Sequence, residues 1–419
     1  MDELPALSRA DLLRRAVPLD VTLAHAGAVQ ARYGITRVAE TTHLDRVGIP
    51  VINVIVPSSP DAIGVYNGKG LTKAHAVVSG LMEALERQIC ARCELERFSA
   101  SVDEIRAYLD LPALGWIGPN EAEIECVTGV DLLSGEQIAV PLGVVQCPRT
   151  GPLHFARVST NGLASGNNAT EAVLHALLEL CERHLWSRVH VLAHMWPRSL
   201  RARTGDLSDR PDDAIANELS MTQPTPVIGD LAEQIRRAGL GLRLLCYAHG
   251  KWPVAMLACI VDSGGGGMFY HLGMGCSWSP LHAAARAITE AAQVRLGDIS
   301  GAREDLRHAS AAVTGFEHGS RPAAFPTGRW YFDGPAQPIA FDDLPDRSGA
   351  DLRHEIAMIL DVLRGFGERC VPYVDLSPAN APGISVARVI APSLERTLVD
   401  GSLSRRSSAL LSAPLTPYR

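Results

Sequence analysis

"AVVSGLMEALER" spans Ala76 to Arg87, and two later stretches of the chain repeat its pattern in register. They are "AVLHALLELCER" from Ala172 to Arg183 and "AAARAITEAAQV" from Ala283 to Val294. All three are mainly apolar, and their polar side chains recur at helical spacing. The three stretches align on the glutamates Glu83, Glu179 and Glu290. Three registered copies of this kind indicate three related, largely buried helices.

Each predicted helix follows the same kind of segment. "GIPVINVIV" leads to "NGKGLT", "LHFARVST" leads to "NGLASGNNAT", and "MFYHL" leads to "GMGCSWSP". The apolar runs are typical of strands and the glycine-rich stretches of turns; Thr72, Thr170 and Ser279 are suitable N-caps, and Pro280 suits a first helical position. The sequence therefore predicts an α/β (α+β) fold built from three strand, glycine loop, helix units.

The remaining chain adds further elements. Residues 351–366 are predicted to form a last long helix, and "GISVARVIAPSLE" contains a strand with a polar exit. Two polar connections, 197–226 and 300–348, are rich in Arg, Asp, Pro or Gly and are predicted to be surface insertions, not independent domains. The tail "RRSSALLSAPLTPYR" is compatible with either a flexible or a folded-back segment.

Composition limits the class of protein. The 419 residues allow one large α/β domain or two intimately joined ones. The net charge of −7 and the absence of a long basic run argue against nucleic-acid binding, and no apolar stretch suits a secretory signal or a membrane span. Nine cysteines in a long chain favour a reducing cytoplasm, and the lone CxxC of Cys90 and Cys93 favours ordinary half-buried thiols over a metal or redox site.

The charges inside the apolar helices need a partner, because an unpaired buried carboxylate costs several kcal/mol. If the helices converge, they bring together five glutamates and three arginines, and a divalent cation would neutralise the excess. Magnesium prefers oxygen ligands and often shares them with phosphates, so a Mg-nucleotide site is predicted, with Lys69 within reach of a phosphate. Structural ion pairs are the alternative. The charged side chains are Glu83, Glu86, Glu179, Glu182 and Glu290 with Arg87, Arg183 and Arg286.

Other candidates carry weaker signals. His190 and His194 have metal-like spacing but lack the glutamate of an HExxH motif, so packing is the favoured interpretation. Ser79 lacks a nucleophile elbow and is more readily a polar ligand than a nucleophile. The glycine run 264–267 is predicted to be a hairpin turn.

"SGLMEALER" is similar to the SxxxExxER motif of the YcaO superfamily. "NGLASGNNATEAVLHALLELCER" and "RAITEAAQ" resemble the second and third motifs of that family, and "LDRVGIPV" and "VARVIAPSLE" also resemble YcaO sequences. The resemblance covers residues 36–395. It implies a catalytic domain over that range, an N-terminal extension over 1–35 and a C-terminal tail over 396–419.

The resemblance implies an enzyme that uses ATP and Mg²⁺ to activate a peptide backbone amide by phosphorylating its oxygen. It assigns catalysis to Arg286 and Glu290 and metal binding to the five glutamates named above. The nucleotide site implied by the same motifs comprises Lys69, Ser79, Glu83, Glu86, Arg87, Glu179, Glu182, Arg183, Arg286, Glu290 and Gln293.

The branch of the family is set by what attacks the amide. The segments "LDRVGIP" and "GKGLT" are more similar to those of family members that form thioamides on a precursor peptide with a TfuA-like partner. Cyclodehydratases that make azolines often end in PxPxP and use a leader-binding protein, whereas this chain has Pro414 and Pro417 in a PxxP spacing. A nucleotide-binding accessory factor for ribosomal-protein modification is a further alternative, and a homodimer is compatible with the resemblance.

Overall fold

The computed structural model describes residues 15–61, 63–148, 154–155, 159–195, 216–221, 224–247, 250–262, 269–301, 338–349, 351–401 and 403–412. Its helices, in chain order, are α1 (Leu19–Val29), α2 (Lys73–Arg92), α3 (Val102–Arg106), α4 (Leu142–Val145), α5 (Ala169–His190), α6 (Pro226–Arg237), α7 (Pro280–Ser300), α8 (Leu352–Phe366), α9 (Thr397–Asp400) and α10 (Arg405–Ser412). Short 3-10 turns cover Thr42–Leu44 and Phe341–Asp343, and a π turn covers Val191–Met195.

The strands are β1 (Arg37–Glu40), β2 (Val51–Ile55), β3 (Val65–Lys69), β4 (Arg97–Ser101), β5 (Glu123–Asp131), β6 (Gln137–Pro141), β7 (Leu163–Gly166), β8 (Asn217–Leu219), β9 (Gly241–Tyr247), β10 (Val254–Asp262), β11 (Phe269–Ser277), β12 (Pro338–Ile339), β13 (Pro372–Asp375) and β14 (Ser385–Val389). They form a three-stranded sheet, β1-β2-β3, a five-stranded sheet, β11-β10-β9-β8-β12, and a six-stranded sheet, β4-β5-β13-β14-β7, in which β6 pairs with β5. The mixed α/β class is as the sequence predicts.

The three motif helices α2, α5 and α7 each follow a strand of a different sheet. They follow β3, β7 and β11 respectively, so the three predicted strand-to-helix units are present. Helix α2 packs on β3, α5 on β7 and α7 on β11. Each motif helix is thus held against the strand that precedes it.

The predicted glycine loops are wrong as loops at Gly68, Gly166, Gly273 and Gly275, which lie within strands β3, β7 and β11, whereas Gly70 and Gly162 lie outside those strands as predicted. A Cβ added to Gly68 would stand 2.0 Å from the carbonyl oxygen of Ala76, and one added to Gly273 would stand 2.2 Å from that of Ala287. Glycine is needed here because the helix backbone lies directly on the strand, with no room for a side chain. These glycines therefore set the distance between each helix and its strand.

The starts of the motif helices agree with the sequence at two of three places. The Thr72 side chain accepts a hydrogen bond from a backbone N–H in the first turn of α2, and Pro280 is the first residue of α7. The prediction that Thr170 caps the second helix is wrong: the Asn168 side chain accepts the hydrogen bond of the Glu171 N–H at 2.9 Å. Because α5 already begins at residue 169, Thr170 lies inside its first turn.

The predicted second strand, 153–160, lies partly outside the described residues. Phe155, within "LHFARVST", forms an isolated bridge with Trp116, and the strand that precedes α5 is β7, inside the stretch expected to be a turn. The last helix and the strand of "GISVARVIAPSLE" are confirmed as α8, capped by the Asp351 side chain, and β14. The glycine run 264–267 lies outside the described residues.

The described parts of the two predicted insertions complete the five-stranded sheet. Strand β8 pairs with β9, and β12 pairs in parallel with β8, so both lie at one edge of that sheet. At the C-terminus, α9 packs on α5, and the backbone N–H of Ser404 donates to the Glu395 carboxylate at 3.1 Å. The described part of the tail is folded back on the domain.

Three hydrophobic clusters hold the sheets and helices together. The first includes residues of α2 and of the three- and six-stranded sheets, the second surrounds α5, and the third includes α6, α7 and β10. Buried alanines of α7 (Ala283, Ala284, Ala287 and Ala291) bring that helix close to the five-stranded sheet. All nine cysteines are free thiols, and none of the described helices is long and apolar enough to cross a bilayer.

Candidate functional site

The first and third motif units meet through an ion pair. Lys69, the last residue of β3, pairs through Nζ with the Oε2 atom of Glu290 on α7, and both side chains are 19% exposed. The other oxygen of Glu290 accepts a hydrogen bond from the backbone N–H of Met274 at 3.2 Å. Glu290 is therefore fixed by one cation and one backbone donor.

The second unit reaches the same place through Arg183. Its Nη1 atom lies 3.2 Å from the Met274 sulfur, and its Nη2 atom lies 3.5 Å from Oε1 of Glu182. Glu182 in turn lies close enough to Glu290 and Arg286 for their charges to act on it. The motif residues of α5 and α7 therefore lie on the sides of these helices that face each other.

Helix α2 faces α5 with its own carboxylates. The Glu86 side chain lies near those of Glu83 and Glu179, and the Ser165 hydroxyl donates to the Met82 carbonyl of α2 at 3.2 Å. Contacts therefore run from α2 to α5, from α5 to α7, and from α7 back to β3. The predicted convergence of the three motif units is present in the structure.

The protonation of these carboxylates divides the site into two parts. Burial and the neighbouring Glu179 and Glu83 carboxylates raise the pKa of Glu86 well above its usual value, and burial raises that of Glu179 to about 7 despite the cation of Arg183. Burial also raises the pKa of Glu182. Among the described residues, the cations near Glu86, Glu179 and Glu182 therefore do not outweigh the effect of burial on these three carboxyls.

Glu290 shows the opposite shift. Burial opposes its ionisation, but the Lys69 and Arg183 cations outweigh that effect and lower the pKa of Glu290 to about 2. The site consequently has a carboxylate already paired with a cation on one side and under-neutralised carboxylates on the other. A divalent cation bound between α2 and α5 would supply the missing positive charge.

Buried polar atoms that have no hydrogen-bond partner indicate whether a nucleotide fits this site. The Nε atom of Arg286 and the Oε1 atom of Gln293 are buried and have no hydrogen-bond partner within the described ranges. Such orphaned groups are costly, so a ligand or ordered water is expected to satisfy them. An arginine donor and an amide acceptor beside carboxylates suit the phosphates and polar groups of a metal-bound nucleotide.

No three His, Cys, Asp or Glu side chains of the described residues lie together closely enough to form a metal site of their own. Mg²⁺ in nucleotide sites commonly takes only one or two protein carboxylates, and phosphates and water supply the other ligands. The glutamates present fit that mode of binding. Assignment of all five glutamates as ligands stays a prediction.

Two of the predicted residues have different surroundings from the rest. Arg87 contacts Asp61, in the β2–β3 connection, through Nη2 at 2.5 Å, so its main partner was not among the predicted residues. Tyr66 also donates to Asp61, at 3.3 Å, which anchors that connection beneath α2. Ser79 is half-buried on α2 and forms no hydrogen bond through its hydroxyl among the described residues.

Sequence reasoning missed a second cluster at the start of α5. Arg15 donates through Nη1 to the Glu171 carboxylate at 2.9 Å and lies 3.0 Å from Nε2 of His175. Burial and the Arg15 cation lower the pKa of His175 to about 3, so this imidazole is neutral, and Arg286 also acts on it. The alignment of His175 with Ser79 and Arg286 was a signal for it, but nothing local indicated Arg15.

The cysteines of the CxxC pair have the surroundings of ordinary thiols. The Cys93 thiol donates to the Cys90 carbonyl at 3.1 Å, and burial raises the pKa of Cys90 to about 12, as expected for ordinary thiols. His190 ends α5, whereas the side chain of His194 lies outside the described set.

Comparison with known proteins supports the interpretation of this site. The family model described as YcaO cyclodehydratase, ATP- and Mg²⁺-binding, matches residues 67–395. An uncharacterized protein of Methanothermobacter thermautotrophicus is 33% identical over 396 residues, which is 92% of this chain and 96% of that protein. A protein of Rhizobium leguminosarum bv. trifolii named for its place in the tfuA 3' region is 33% identical over 382 residues, covering 87% of this chain and 84% of that protein.

Solved structures share the fold. YcaO from Methanopyrus kandleri bound with AMPPCP and Mg²⁺ matches with a TM-score of 0.64 and 23% identity, over 92% of this chain and 93% of that one. A heterocyclase in complex with substrate and cofactor matches with a TM-score of 0.69 and 17% identity, over 91% of this chain and 53% of that one. With its three motif helices converging and the family model spanning most of its length, the chain belongs to the YcaO family, whose cofactors are ATP and Mg²⁺.

Proposed function

We propose that this chain uses Mg-ATP to activate a backbone amide of a ribosomally synthesised precursor peptide. The observation that carries the proposal is the meeting of the three motif helices around carboxylates that lack balancing charge, beside the orphaned Arg286 and Gln293 atoms. A buried site of this composition is poorly satisfied without a cation and a polyanion. Amide activation by ATP needs both.

The proposed division of roles follows from position. Glu83, Glu86, Glu179 and Glu182 would hold Mg²⁺ or the nucleotide, because bound cations would offset the burial that raises the pKa values of Glu86, Glu179 and Glu182. ATP supplies a phosphoryl group to the amide oxygen, which turns a very poor leaving group into a good one. Ser79 is a candidate polar contact to the nucleotide.

Arg286, Glu290 and Gln293 would form the opposite wall. Lys69 and Arg183 hold Glu290 ionised and fixed, because its two oxygens are engaged by Lys69 and the Met274 N–H. The Nε atom of Arg286 has no hydrogen-bond partner among the described residues, so it can stabilise negative charge on a phosphoryl group. Arg87, paired with Asp61, would support α2.

For the branch, we favour thioamide formation with a TfuA-like partner. The relative from the tfuA 3' region supports this choice, because neighbouring genes often act in one process. Azoline formation is the second candidate, since several structural neighbours are heterocyclases by name. We place the reaction in the cytoplasm, and a homodimer is a further expectation.

Intact-mass analysis separates the two branches. The purified chain would be incubated with ATP, Mg²⁺, sulfide, a genomically adjacent precursor peptide and any adjacent TfuA-like protein. Thioamidation adds about 16 mass units to the peptide, whereas cyclodehydration removes about 18. Glu290→Gln should abolish the mass change, and the control Glu136→Gln, at an exposed turn, should retain it. ATP turnover with no mass change on any such peptide would contradict amide activation and favour an accessory role.

A further inference from the structure

A groove of about 510 Å³ lies against helix α10, and none of the residues that line it belongs to the site described above. Its walls come from residues 106–113, 366–370, 392–393 and 405–406. In chain order, these segments lie at the end of α3 and just beyond it, at the end of α8 and just beyond it, just after β14, and at the start of α10. We call this feature the C-terminal groove.

The C-terminal groove carries an excess of positive charge. Its arginines outnumber its carboxylates four to two, in a chain whose net charge is −7. Burial raises the pKa of one of those carboxyls, Glu368, to about 7 although Ser393 donates two hydrogen bonds to it. The groove is therefore a local exception to the acidity of the protein. The charged residues are Arg106, Arg369, Arg405 and Arg406 with Asp110 and Glu368.

The four guanidinium groups keep most of their donors free. Each uses one Nη2 atom for a hydrogen bond inside the protein: Arg106 to Asn120, Arg369 to the Ala107 carbonyl, Arg405 to Asp110 and Arg406 to the Phe366 carbonyl. Their remaining nitrogens form no hydrogen bond within the described part of the chain. A guanidinium has five N–H donors in a planar fork that matches a carboxylate, so these groups can each bind a further anion.

The groove is also held in a fixed shape. The Arg406 guanidinium lies over the Phe366 ring, 4.1 Å from its centroid, and donates to the carbonyl of the same residue. Arg405 bonds Asp110 on the opposite wall at 2.9 Å. Helix α10 is thus attached to two other walls of the groove by its own arginines.

A smaller pocket of about 30 Å³ is lined by residues next in the chain to those of the groove, and we call it the inner pocket. Leu114 and Ala391 line the inner pocket, whereas their chain neighbours Ala113 and Pro392 line the groove. Arg396 of the inner pocket donates to the Ala113 carbonyl, and Leu180 of α5 also lines this pocket.

Arg388 lies in the inner pocket with a buried donor that has no partner. It is 5% exposed, and its Nη1 atom has no hydrogen-bond partner among the described residues, while its charge acts on Glu179 of α5. The pocket volume suits one small polar group, which would accept from this donor. The inner pocket therefore offers an unused hydrogen-bond donor beside Leu180 of α5.

We propose that the C-terminal groove binds an acidic segment of the peptide substrate through the four arginines. This proposal rests on the proposed function, because it assigns the occupant as the peptide whose amide is activated. Glutamate or aspartate side chains pair with the guanidinium groups, and the chain continues past Arg396 towards Arg388. The groove then determines which peptides are held near the catalytic helices.

The test uses a fluorescein-labelled peptide of twelve residues containing four glutamates, with an otherwise identical peptide containing four glutamines. Fluorescence anisotropy at low ionic strength should show binding of the glutamate peptide to the wild-type chain and weaker binding of the glutamine peptide. The double variant Arg405→Glu/Arg406→Glu should bind the glutamate peptide about tenfold more weakly. Arg236→Glu/Arg237→Glu is the matched control, because it makes the same charge change at two adjacent exposed arginines that end α6.

Folding is checked with the milder variant Arg405→Gln/Arg406→Gln, whose Tm should fall by no more than about 2 °C because its lost contacts are at the surface, and whose peptide affinity should fall in the same direction. Equal binding of the two peptides, or equal losses in the groove and control variants, would overturn the proposal. Tighter groove-dependent binding of a twelve-nucleotide oligothymidine would assign the groove to nucleic acid instead. Titration of the same samples with ATP tests the proposed function separately. A failure to bind ATP would count against the proposed function, whereas the peptide-binding result would still stand.

Discussion

Gly273→Ala is the substitution that most directly tests how the third motif helix is held. The added Cβ would stand 2.2 Å from both the Ala287 carbonyl oxygen and the Ala291 nitrogen. Both are backbone atoms, so no side-chain rotation relieves the clash, and α7 must move by about 1 Å to reach an ordinary contact distance. Overpacking of this kind costs about 3 kcal/mol.

We therefore expect Gly273→Ala to lower Tm by about 3 °C in differential scanning fluorimetry. It should also weaken ATP binding, because α7 carries Glu290, which contacts Lys69 and Met274 on the adjacent strands. The control is Gly297→Ala within α7, where an added Cβ meets nothing within 4 Å. There, alanine should stabilise the protein by about 0.5–1 kcal/mol. A Gly273→Ala protein as stable as the wild type would refute the close strand-to-helix packing.

Three further outcomes are expected. Asn168→Ala should cost about 1 kcal/mol in denaturant unfolding by removing the cap of α5, whereas Thr170→Ala, at the position first predicted to be the cap, should cost less than about 0.5 kcal/mol. Lys69→Met should lower the free energy of unfolding by about 2 kcal/mol, because it leaves Glu290 without its nearest cation. The double variant Lys69→Met/Glu290→Gln should recover part of that loss, and additive losses would contradict a direct pair. The folded pKa of Glu368, about 7, lies above that of an unfolded carboxyl, so the folded chain keeps a proton that the unfolded chain loses, and stability falls as pH rises between about 4.5 and 7. Glu368→Gln should therefore be more stable than the wild type at pH 8 but not at pH 5, and parallel pH profiles of the two proteins would contradict the shift.

The sequence was most informative where the signal is local and repeated. The registered glutamates predicted three related helices, and the predicted cap Thr72 is a side chain that bonds a backbone N–H within the next turn. The meeting of those helices followed from physical reasoning, since buried charges require partners. For these features the cause lies within a few residues of the pattern.

The sequence failed where the cause is a distant part of the chain. The glycines of β3 and β11 predict turns because glycine is common in turns, but here glycine is required by a helix backbone that lies on the strand. Arg15 reaches Glu171 across 156 positions, and Arg388 reaches the Ser159 carbonyl across 229. The spacing and periodicity of residues in the sequence do not indicate contacts of this kind.

Calorimetric titration of ATP in the presence of Mg²⁺ tests the central claim most directly. The wild-type chain and the exposed-site control Glu136→Gln should bind ATP with the same affinity, and binding should be lost when Mg²⁺ is chelated. Arg286→Ala removes the guanidinium that has a free buried nitrogen in the site, and it should weaken binding by at least about tenfold. No heat of binding from the wild type, or an Arg286→Ala affinity equal to that of the control, would contradict a Mg-ATP site among the three motif helices.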